Sequence, residues 1–130
     1  MLLVGGGSGV VPLMAMIRER AAAGSDVDMR LLLSSRSWDD VIYRDELERL
    51  MGGGLTVTHT LTRSQPEGWS GYARRIDTEM LAAVAPAPGE RPHIYVCGPT
   101  PLVEAVATDL VGLGHEPLGV KTERFGPTGG

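Results

Sequence analysis

The sequence predicts an α/β domain in which helices cover a parallel β-sheet. Short apolar runs alternate with stretches of good helix formers along the 130 residues, and glycine or proline separates most of them. This alternation of strands and helices is typical of a parallel sheet with right-handed crossover connections. The length fits a single domain, since a domain typically takes about 100–200 residues.

The first half of the chain predicts three strands and two helices. Each predicted strand is a short apolar or alternating run, and each helix is followed by a glycine, a residue that readily terminates helices. Pro12 lies in the first turn of the first helix, where proline is tolerated. In order, the predicted elements are a strand at 1–4, a helix at 10–23, a buried strand at 29–33, a loop at 34–40, a helix at 40–51 and a strand at 55–61.

The second half predicts two further helices and two further strands. Asp77 is the predicted N-cap of the third helix, because its carboxylate can accept a hydrogen bond from a free N–H of the first turn. Met80, Leu81 and Val84 would form the inner side of that helix. In order, the predicted elements are a loop at 62–71, a helix at 76–85, a connection at 86–92, a buried strand at 93–97, a helix at 101–113 and a last short strand at 117–120.

The composition argues against several classes of partner and site. The formal net charge is −4 and no block of Lys or Arg is present, so no nucleic-acid partner is expected. Cys97 is the only cysteine, which excludes an internal disulfide and multi-cysteine metal patterns, and the scattered histidines predict no metal site. No apolar stretch approaches the roughly 18 residues of a membrane span, and no signal peptide is recognised. We therefore expect a cytoplasmic protein without a membrane partner.

A glycine-rich loop, Gly5 to Gly9, joins the first predicted strand to the first predicted helix. Glycines there let the backbone approach a pyrophosphate, and the N–H groups and dipole of the helix N-terminus favour its negative charge. Ser8 would add a hydroxyl hydrogen bond. The spacing departs from the dinucleotide fingerprint G-x-G-x-x-G/A, because Val11 and Pro12 follow Gly9. On this loop alone, a purely structural turn is an equally good interpretation.

A second turn has the same arrangement. The predicted strand at 93–97 ends in Cys97-Gly98-Pro99-Thr100, and a helix follows directly. Ligands of open parallel sheets bind beyond the carboxyl ends of the strands, at the point where the strand order reverses. If the first strand is central and the strand at 93–97 lies beside it, both turns border one crevice. Two such turns predict a nucleotide site better than either one alone.

The two turns resemble paired motifs of one family, the ferredoxin–NADP reductase-like flavoprotein oxidoreductase superfamily. The motifs are GGGSGVVP at 5–12 and YVCGP at 95–99. The resemblance covers nearly the whole chain and implies an NAD(P)-binding domain at 1–126 with a C-terminal tail at 127–130. It also implies a Rossmann-like three-layer α/β/α sandwich with a five-stranded parallel sheet in the order 3-2-1-4-5. Further matching segments are SRS at 35–37, DVI at 40–42, TRSQ at 62–65, GWSG at 68–71 and ERFG at 123–126.

The resemblance also implies roles for individual residues. Hydride transfer from nicotinamide to flavin N5 would be carried by the cofactors, while the protein sets distance and orientation. Cys97 and Glu123 are the implied catalytic residues, and each has a plainer interpretation, as a small buried side chain and a solvated carboxylate. The same holds for Phe125, which would either contact the cofactors or pack on its own domain. The implied cofactor-binding residues are Gly6, Gly7, Ser8 and Gly9 for the pyrophosphate, and Cys97, Gly98, Pro99 and Phe125 near the nicotinamide.

The resemblance favours NADP(H) over NAD(H). Thr62 and Arg63 follow the third predicted strand, where NADP-dependent relatives carry a Ser-Arg pair, and an Arg fork with a neighbouring hydroxyl suits a 2′-phosphate. NADH-dependent relatives tend to have an acidic residue in place of Arg63, which would repel that phosphate. Solvated loop arginines are the alternative interpretation. Further residues expected near the adenosine end are Ser35, Arg36, Tyr72 and Arg74.

An FAD-binding barrel domain is expected to be absent from this chain. The resemblance places such a barrel before the dinucleotide domain, and neither its Arg-x-Tyr-Ser strand nor its Gly-x-x-Ser loop occurs here. A dissected domain or a truncated reading frame is the simplest explanation, and a free-standing subunit that docks onto a separate flavin protein is the alternative. FAD would then come from a partner domain or subunit, and the isolated chain would be inactive. Ferredoxin or another electron-transfer protein would be a further partner, and the exposed flavin-facing surface near Cys97 and Phe125 would favour self-association.

Two other functions compete with that of a flavoprotein oxidoreductase. A non-catalytic dinucleotide-binding or sensing module would use the same pocket, but it would have little need of Cys97 and Glu123. A Rossmann-like methyltransferase or short dehydrogenase is disfavoured, because no acidic residue is clearly placed for a ribose after the second strand and no Tyr-x-x-x-Lys pair occurs.

Overall fold

The computed structural model describes residues 1–125, so Gly126 and the predicted tail at 127–130 lie outside the described residues. Within them, strands and α-helices alternate along the chain. The strands are β1 (Leu2–Gly6), β2 (Met29–Ser35), β3 (Leu55–Leu61), β4 (Ile94–Pro99) and β5 (Val120–Phe125). The helices are α1 (Val10–Ala22), α2 (Arg44–Leu50), α3 (Thr78–Val84) and α4 (Thr100–Gly112).

The five strands form one parallel sheet in the order β3-β2-β1-β4-β5, which confirms the predicted order. β1 is the central strand, and Gly5 pairs with Leu33 of β2 on one side and with Cys97 of β4 on the other. The chain builds the sheet outward from β1 to β3 and then returns to the opposite side of β1. The strand order therefore reverses between β1 and β4, and both motif turns leave the sheet at this switch point.

Helices cover both faces of the sheet, as a three-layer α/β/α sandwich requires. Leu3 of β1 packs with α1 and α2 on one face, here called the α1 face, whereas Leu2 and Val4 pack with α3 and α4 on the other, the α4 face. Successive side chains of a strand point to opposite faces. An uninterrupted apolar strand such as β1 is therefore buried on both faces, and β2 follows the same rule at Leu31 and Leu32.

The prediction of a last strand at 117–120 is wrong. Pro117–Gly119 forms a 3₁₀ turn, and β5 runs from Val120 to Phe125. Four of the six residues of β5 are exposed, so this edge strand lacks the apolar run by which buried strands are recognised. By contrast, β1, β2 and β4 each begin near the predicted position and extend two residues further at their carboxyl ends than predicted.

Two predicted helices are shorter in the structure. Trp38–Asp40 forms a 3₁₀ turn, and α2 begins only at Arg44 because Tyr43 adopts a left-handed backbone conformation with φ 61°. The third helix begins at Thr78, after Asp77, whose carboxylate accepts a hydrogen bond from the Met80 N–H at 2.9 Å. This confirms the predicted N-cap. None of the helices in the described part of the chain is long and apolar enough to cross a membrane.

Candidate functional site

The two motif turns contact each other directly. A Cβ atom built on Gly9 would overlap the carbonyl oxygen of Cys97 and lie 2.8 Å from the Cα atom of Gly98. A Cβ atom on Gly6 would lie 2.6 Å from a methyl group of Leu102 in α4 and 3.4 Å from Pro99. Only glycine therefore fits at Gly9 without displacement of the backbone, and the pyrophosphate loop predicted from the sequence shares a wall with the Cys-Gly-Pro turn.

The glycine loop presents an open helix N-terminus. Gly7–Gly9 forms a 3₁₀ turn that continues into α1 at Val10, and Gly7 adopts a left-handed conformation with φ 54° that favours glycine. Both Gly7 and Ser8 are exposed. Within residues 1–125, no side chain caps α1 and no acidic residue lies in its first turn. Free N–H groups and the helix dipole can therefore attract an anion here.

Three predicted residues line one side of the Cys-Gly-Pro turn. Cys97 pairs with Glu123 in the sheet register, and Pro99 pairs with Phe125. Cys97 is only 5% exposed, Glu123 is exposed, and Phe125 packs partly against the core of the α1 face. Burial, and to a smaller extent the charge of Glu123, raises the pKa of the Cys97 thiol to about 11. At neutral pH this side chain is therefore an uncharged thiol.

The loops after β2 and β3 run side by side. The Thr62 N–H donates to the Ser35 carbonyl at 2.9 Å, and the N–H groups of Arg63 and Ser64 donate to the Arg36 carbonyl at 2.9 and 3.1 Å. Arg36 and Arg63 are exposed. Neither guanidinium forms an ion pair with a carboxylate of the described residues. The backbones of two exposed arginines are thus joined by hydrogen bonds beyond the carboxyl ends of β2 and β3.

Tyr72 and Arg74 contact each other at the outer edge of β3. The Leu61 N–H donates to the Tyr72 carbonyl at 3.1 Å, and the Arg74 guanidinium lies 5.2 Å from the centre of the Tyr72 ring. Arg74 Nε donates to an Asp77 carboxylate oxygen at 2.6 Å. That hydrogen bond, with the Met80 N–H, lowers the pKa of Asp77. A phosphate would have to compete with Asp77 for Arg74.

A cleft of about 480 Å³ lies on the α4 face beyond the ends of β2, β3 and β4. Its volume falls within the range of roughly 300–1,000 Å³ that is usual for small-molecule sites. Arg75 and Ile76 are not among the predicted site residues, and no periodicity in the loop distinguishes Arg75 from Arg74. The lining includes Ser34, Thr62, Arg75, Ile76, Pro99 and Leu102.

Comparison with known proteins agrees with this geometry. A family model described as "Oxidoreductase NAD-binding domain" matches residues 3–108. The glycine betaine monooxygenase reductase subunit of Pseudomonas aeruginosa is 36% identical over 130 residues, which cover 98% of this chain and 35% of the relative. Ferredoxin–NADP reductase B of Sorangium cellulosum is 37% identical over 131 residues, which cover 95% of this chain and 53% of the relative.

A solved structure, that of flavohemoglobin from Malassezia yamatoensis with bound FAD and heme, is also similar. The TM-score is 0.81 at 26% identity, over 96% of this chain and 31% of that chain. The chain thus spans about a third to a half of these proteins. The resemblance inferred from the sequence to the dinucleotide domains of flavoprotein reductases is confirmed. The chain belongs to the oxidoreductase NAD-binding domain family.

Proposed function

We propose that this domain, spanning residues 1–126, binds NADPH and holds its nicotinamide for hydride transfer to a flavin carried by another domain or subunit. When bound, the dinucleotide supplies a hydride, which passes to flavin N5 and leaves the oxidised nicotinamide. The observation that carries the proposal is the direct packing of Gly9 on the Cys97–Gly98 backbone. Because of this packing, the N-terminus of α1, which attracts anions, lies on one side of the crevice. The uncharged thiol of Cys97 lies on the other side, and we call this side the neutral wall.

The neutral wall supports a positioning role for Cys97. A thiol with a pKa of about 11 stays protonated at neutral pH, so it is a poor proton donor and offers almost no thiolate to act as a base. Cys97 would instead limit how closely the nicotinamide ring approaches the sheet. Glu123 and Phe125, its neighbours on β5, would border the ring from the open side.

The arginines near the cleft support a preference for NADPH. The adenosine half would lie in the cleft, and Thr62, Arg63 and Arg36 would meet its 2′-phosphate at the ends of β2 and β3. Arg75 lines the same cleft and would add a further cation. An acidic group that would repel the phosphate is absent from positions 62–66.

The partners follow from the flavin that this chain would need. A FAD-binding domain or subunit would cover the wall formed by Cys97 and Phe125, and ferredoxin or another electron-transfer protein would accept the electrons. Without that cover, the same surface would favour self-association. We place the protein in the cytoplasm, in keeping with a free, reduced cysteine.

Calorimetric titration of the purified chain with 2′,5′-ADP and with 5′-AMP at low salt tests the cofactor preference. We expect tighter binding of 2′,5′-ADP, and a loss of about tenfold or more in Arg63→Ala, since a charge-assisted hydrogen bond contributes about 1.5–3 kcal/mol. Arg49→Ala is the matched control, because Arg49 is an exposed arginine on α2. Equal binding of both ligands would overturn the NADPH preference and leave an NADH site, and binding of neither would contradict an independent dinucleotide site.

A further inference from the structure

The outer edge of β3 is covered at both of its ends and open between them. At the start, Leu55 and Gly52 exchange two backbone hydrogen bonds of 3.0 Å, and near the end the Leu61 N–H donates to the Tyr72 carbonyl at 3.1 Å. Alternate residues of a strand direct their backbone groups to the same edge. The N–H and C=O of Val57 and the N–H of His59 therefore point outward, and no hydrogen bond from the described residues reaches them at this edge.

A groove of about 430 Å³ lies against this open segment. It is lined by the middle of β3 and by the segment from Trp69 to Tyr72, and it shares no lining residue with the cleft on the α4 face. Tyr72, which the family resemblance places near the adenosine end of the dinucleotide, lines this groove and not that cleft. A second strand cannot pair along the whole edge, because Gly52 and Tyr72 occupy the positions at either end. The groove therefore suits a short ligand with hydrogen-bonding groups along one side.

One wall of the groove is an indole ring held in place by three contacts. Trp69 Nε1 donates to the Tyr72 carbonyl at 3.0 Å. The ring folds over Gly71, where a Cβ atom would lie 2.6 Å from it. Its centre also lies 5.5 Å from that of Trp38, which in turn packs edge-on against His59 at 5.2 Å. A fixed aromatic surface of this kind favours stacking of a planar ring.

We propose that this groove is a second ligand site, which binds an adenine-type base. The Val57 carbonyl accepts a hydrogen bond from the exocyclic amino group, and the His59 N–H donates to the adjacent ring nitrogen. An acceptor and a donor two residues apart on one strand edge match the neighbouring N–H and N of an aminopurine. The base stacks on Trp69, an interaction that needs no particular substituent on the sugar side.

The first test uses free adenine as the probe and follows each site by its own signals, with Ile76 and Leu102 reporting on the cleft, because 2′,5′-ADP carries the same base and would also enter the groove. In amide-resolved NMR titrations of the isotope-labelled chain, adenine is expected to shift the His59 amide and the Trp69 indole signals. N6,N6-dimethyladenine lacks the amino donor and 1-deazaadenine lacks the ring acceptor. Each should bind about tenfold more weakly than adenine, the loss that removal of one hydrogen bond typically causes.

A set of substitutions tests the strand edge from the protein side. His59→Pro removes the outward N–H that the base uses and also the imidazole that packs against Trp38, so it is compared with His59→Ala, which loses the imidazole and keeps the N–H. Val57→Pro removes an outward N–H that the base does not use. Neither proline removes a bond to β2, and proline is tolerated on edge strands when its position faces outward. Adenine affinity should fall about tenfold in His59→Pro relative to His59→Ala and change little in Val57→Pro.

Three results would overturn this second site, whatever becomes of the proposed NADPH site. They are displacement of adenine by 2′,5′-ADP with shifts confined to cleft residues such as Ile76 and Leu102, equal affinity for the three bases, and no binding of adenine. The base-analogue comparison decides the question on the unaltered chain even if a proline variant does not fold. Loss of 2′,5′-ADP binding in Arg63→Ala with unchanged adenine shifts would show that the two sites are independent.

Discussion

Gly9 lies against the backbone of Cys97, with no space for a side chain between them. A Cβ atom on Gly9 would overlap the Cys97 carbonyl, although the two residues are distant in the sequence and belong to different crossover units. They meet because β1 and β4 are neighbours in the sheet and Gly5 pairs with Cys97. The glycine loop and the Cys-Gly-Pro turn therefore behave as one structure, and a change at either should disturb both.

Gly9→Ala should destabilise the fold by about 1–3 kcal/mol, because the added methyl group must displace a backbone. Gly112→Ala is the matched control. Gly112 ends α4 with open space around it, so alanine there should stabilise the chain by up to about 1 kcal/mol. Urea denaturation of both variants measures the difference. An unchanged midpoint in Gly9→Ala would mean that the two turns are not in close contact.

The Cys97 thiol should react slowly with thiol reagents at neutral pH and faster as the pH approaches 11. Burial is the larger cause of its raised pKa, and the Glu123 carboxylate the smaller. Glu123→Gln should therefore move the rate–pH profile toward lower pH without restoring an ordinary thiol. Because the folded pKa is raised, the contribution of the thiol to stability is present below about pH 9 and is lost toward pH 11. An unshifted profile in Glu123→Gln would contradict a close Cys97–Glu123 pair.

Arg74→Gln should lower the melting temperature more than it lowers the affinity for 2′,5′-ADP. The Arg74 guanidinium already binds Asp77, the N-cap of α3, and its loss would raise the depressed pKa of that carboxyl. The stabilisation from a depressed carboxyl pKa is lost as the pH falls, so the effect of the substitution should shrink in acid. Arg75→Gln is the matched comparison, since Arg75 lines the cleft and should affect affinity instead. The reverse pattern would assign the phosphate to Arg74.

His59 should make the stability of the chain sensitive to mild acid. Burial lowers the pKa of its imidazole, and the buried Nδ1 has no hydrogen-bond partner in residues 1–125. A lowered histidine pKa means that its stabilisation is present above the ordinary pKa, near 6.5, and is lost as the pH falls below it. His59→Phe should flatten the dependence of the melting temperature between pH 7 and about pH 5, and an unchanged dependence would contradict the burial of the imidazole as its cause.

The predictable part of this structure rests on local signals. Leu2 to Val4 and Leu31 to Leu33 are apolar at every position, which is the pattern of strands buried on both faces. Asp77 could be identified as an N-cap because the relevant hydrogen bond lies within one helical turn. The prediction that the two motif turns border one crevice depended on a central β1, which the family resemblance implied and the sheet order confirms.

The errors and omissions arise where distant contacts decide the outcome. β5 was misplaced because its polar residues pair with β4 at an exposed edge, where burial leaves little mark on the sequence. Arg74 and Arg75 are adjacent and chemically alike, and only the structure shows that the first binds Asp77 whereas the second lines the cleft. The open edge at Val57 and His59 cannot be predicted from the local sequence either, because it depends on where Gly52 and Tyr72 pair with the outer edge of β3.

The alternation of apolar runs and helix formers by itself determined the fold class, because such periodicity acts through neighbouring residues. The strand order and the expected kind of ligand came from the resemblance of the two motifs to one family. Only the tertiary structure decided which side chains share a surface. Contacts between segments far apart in the chain decide these points. They determine whether an arginine binds a carboxylate or lines a cavity, whether a thiol keeps its proton, and which backbone groups stay unpaired.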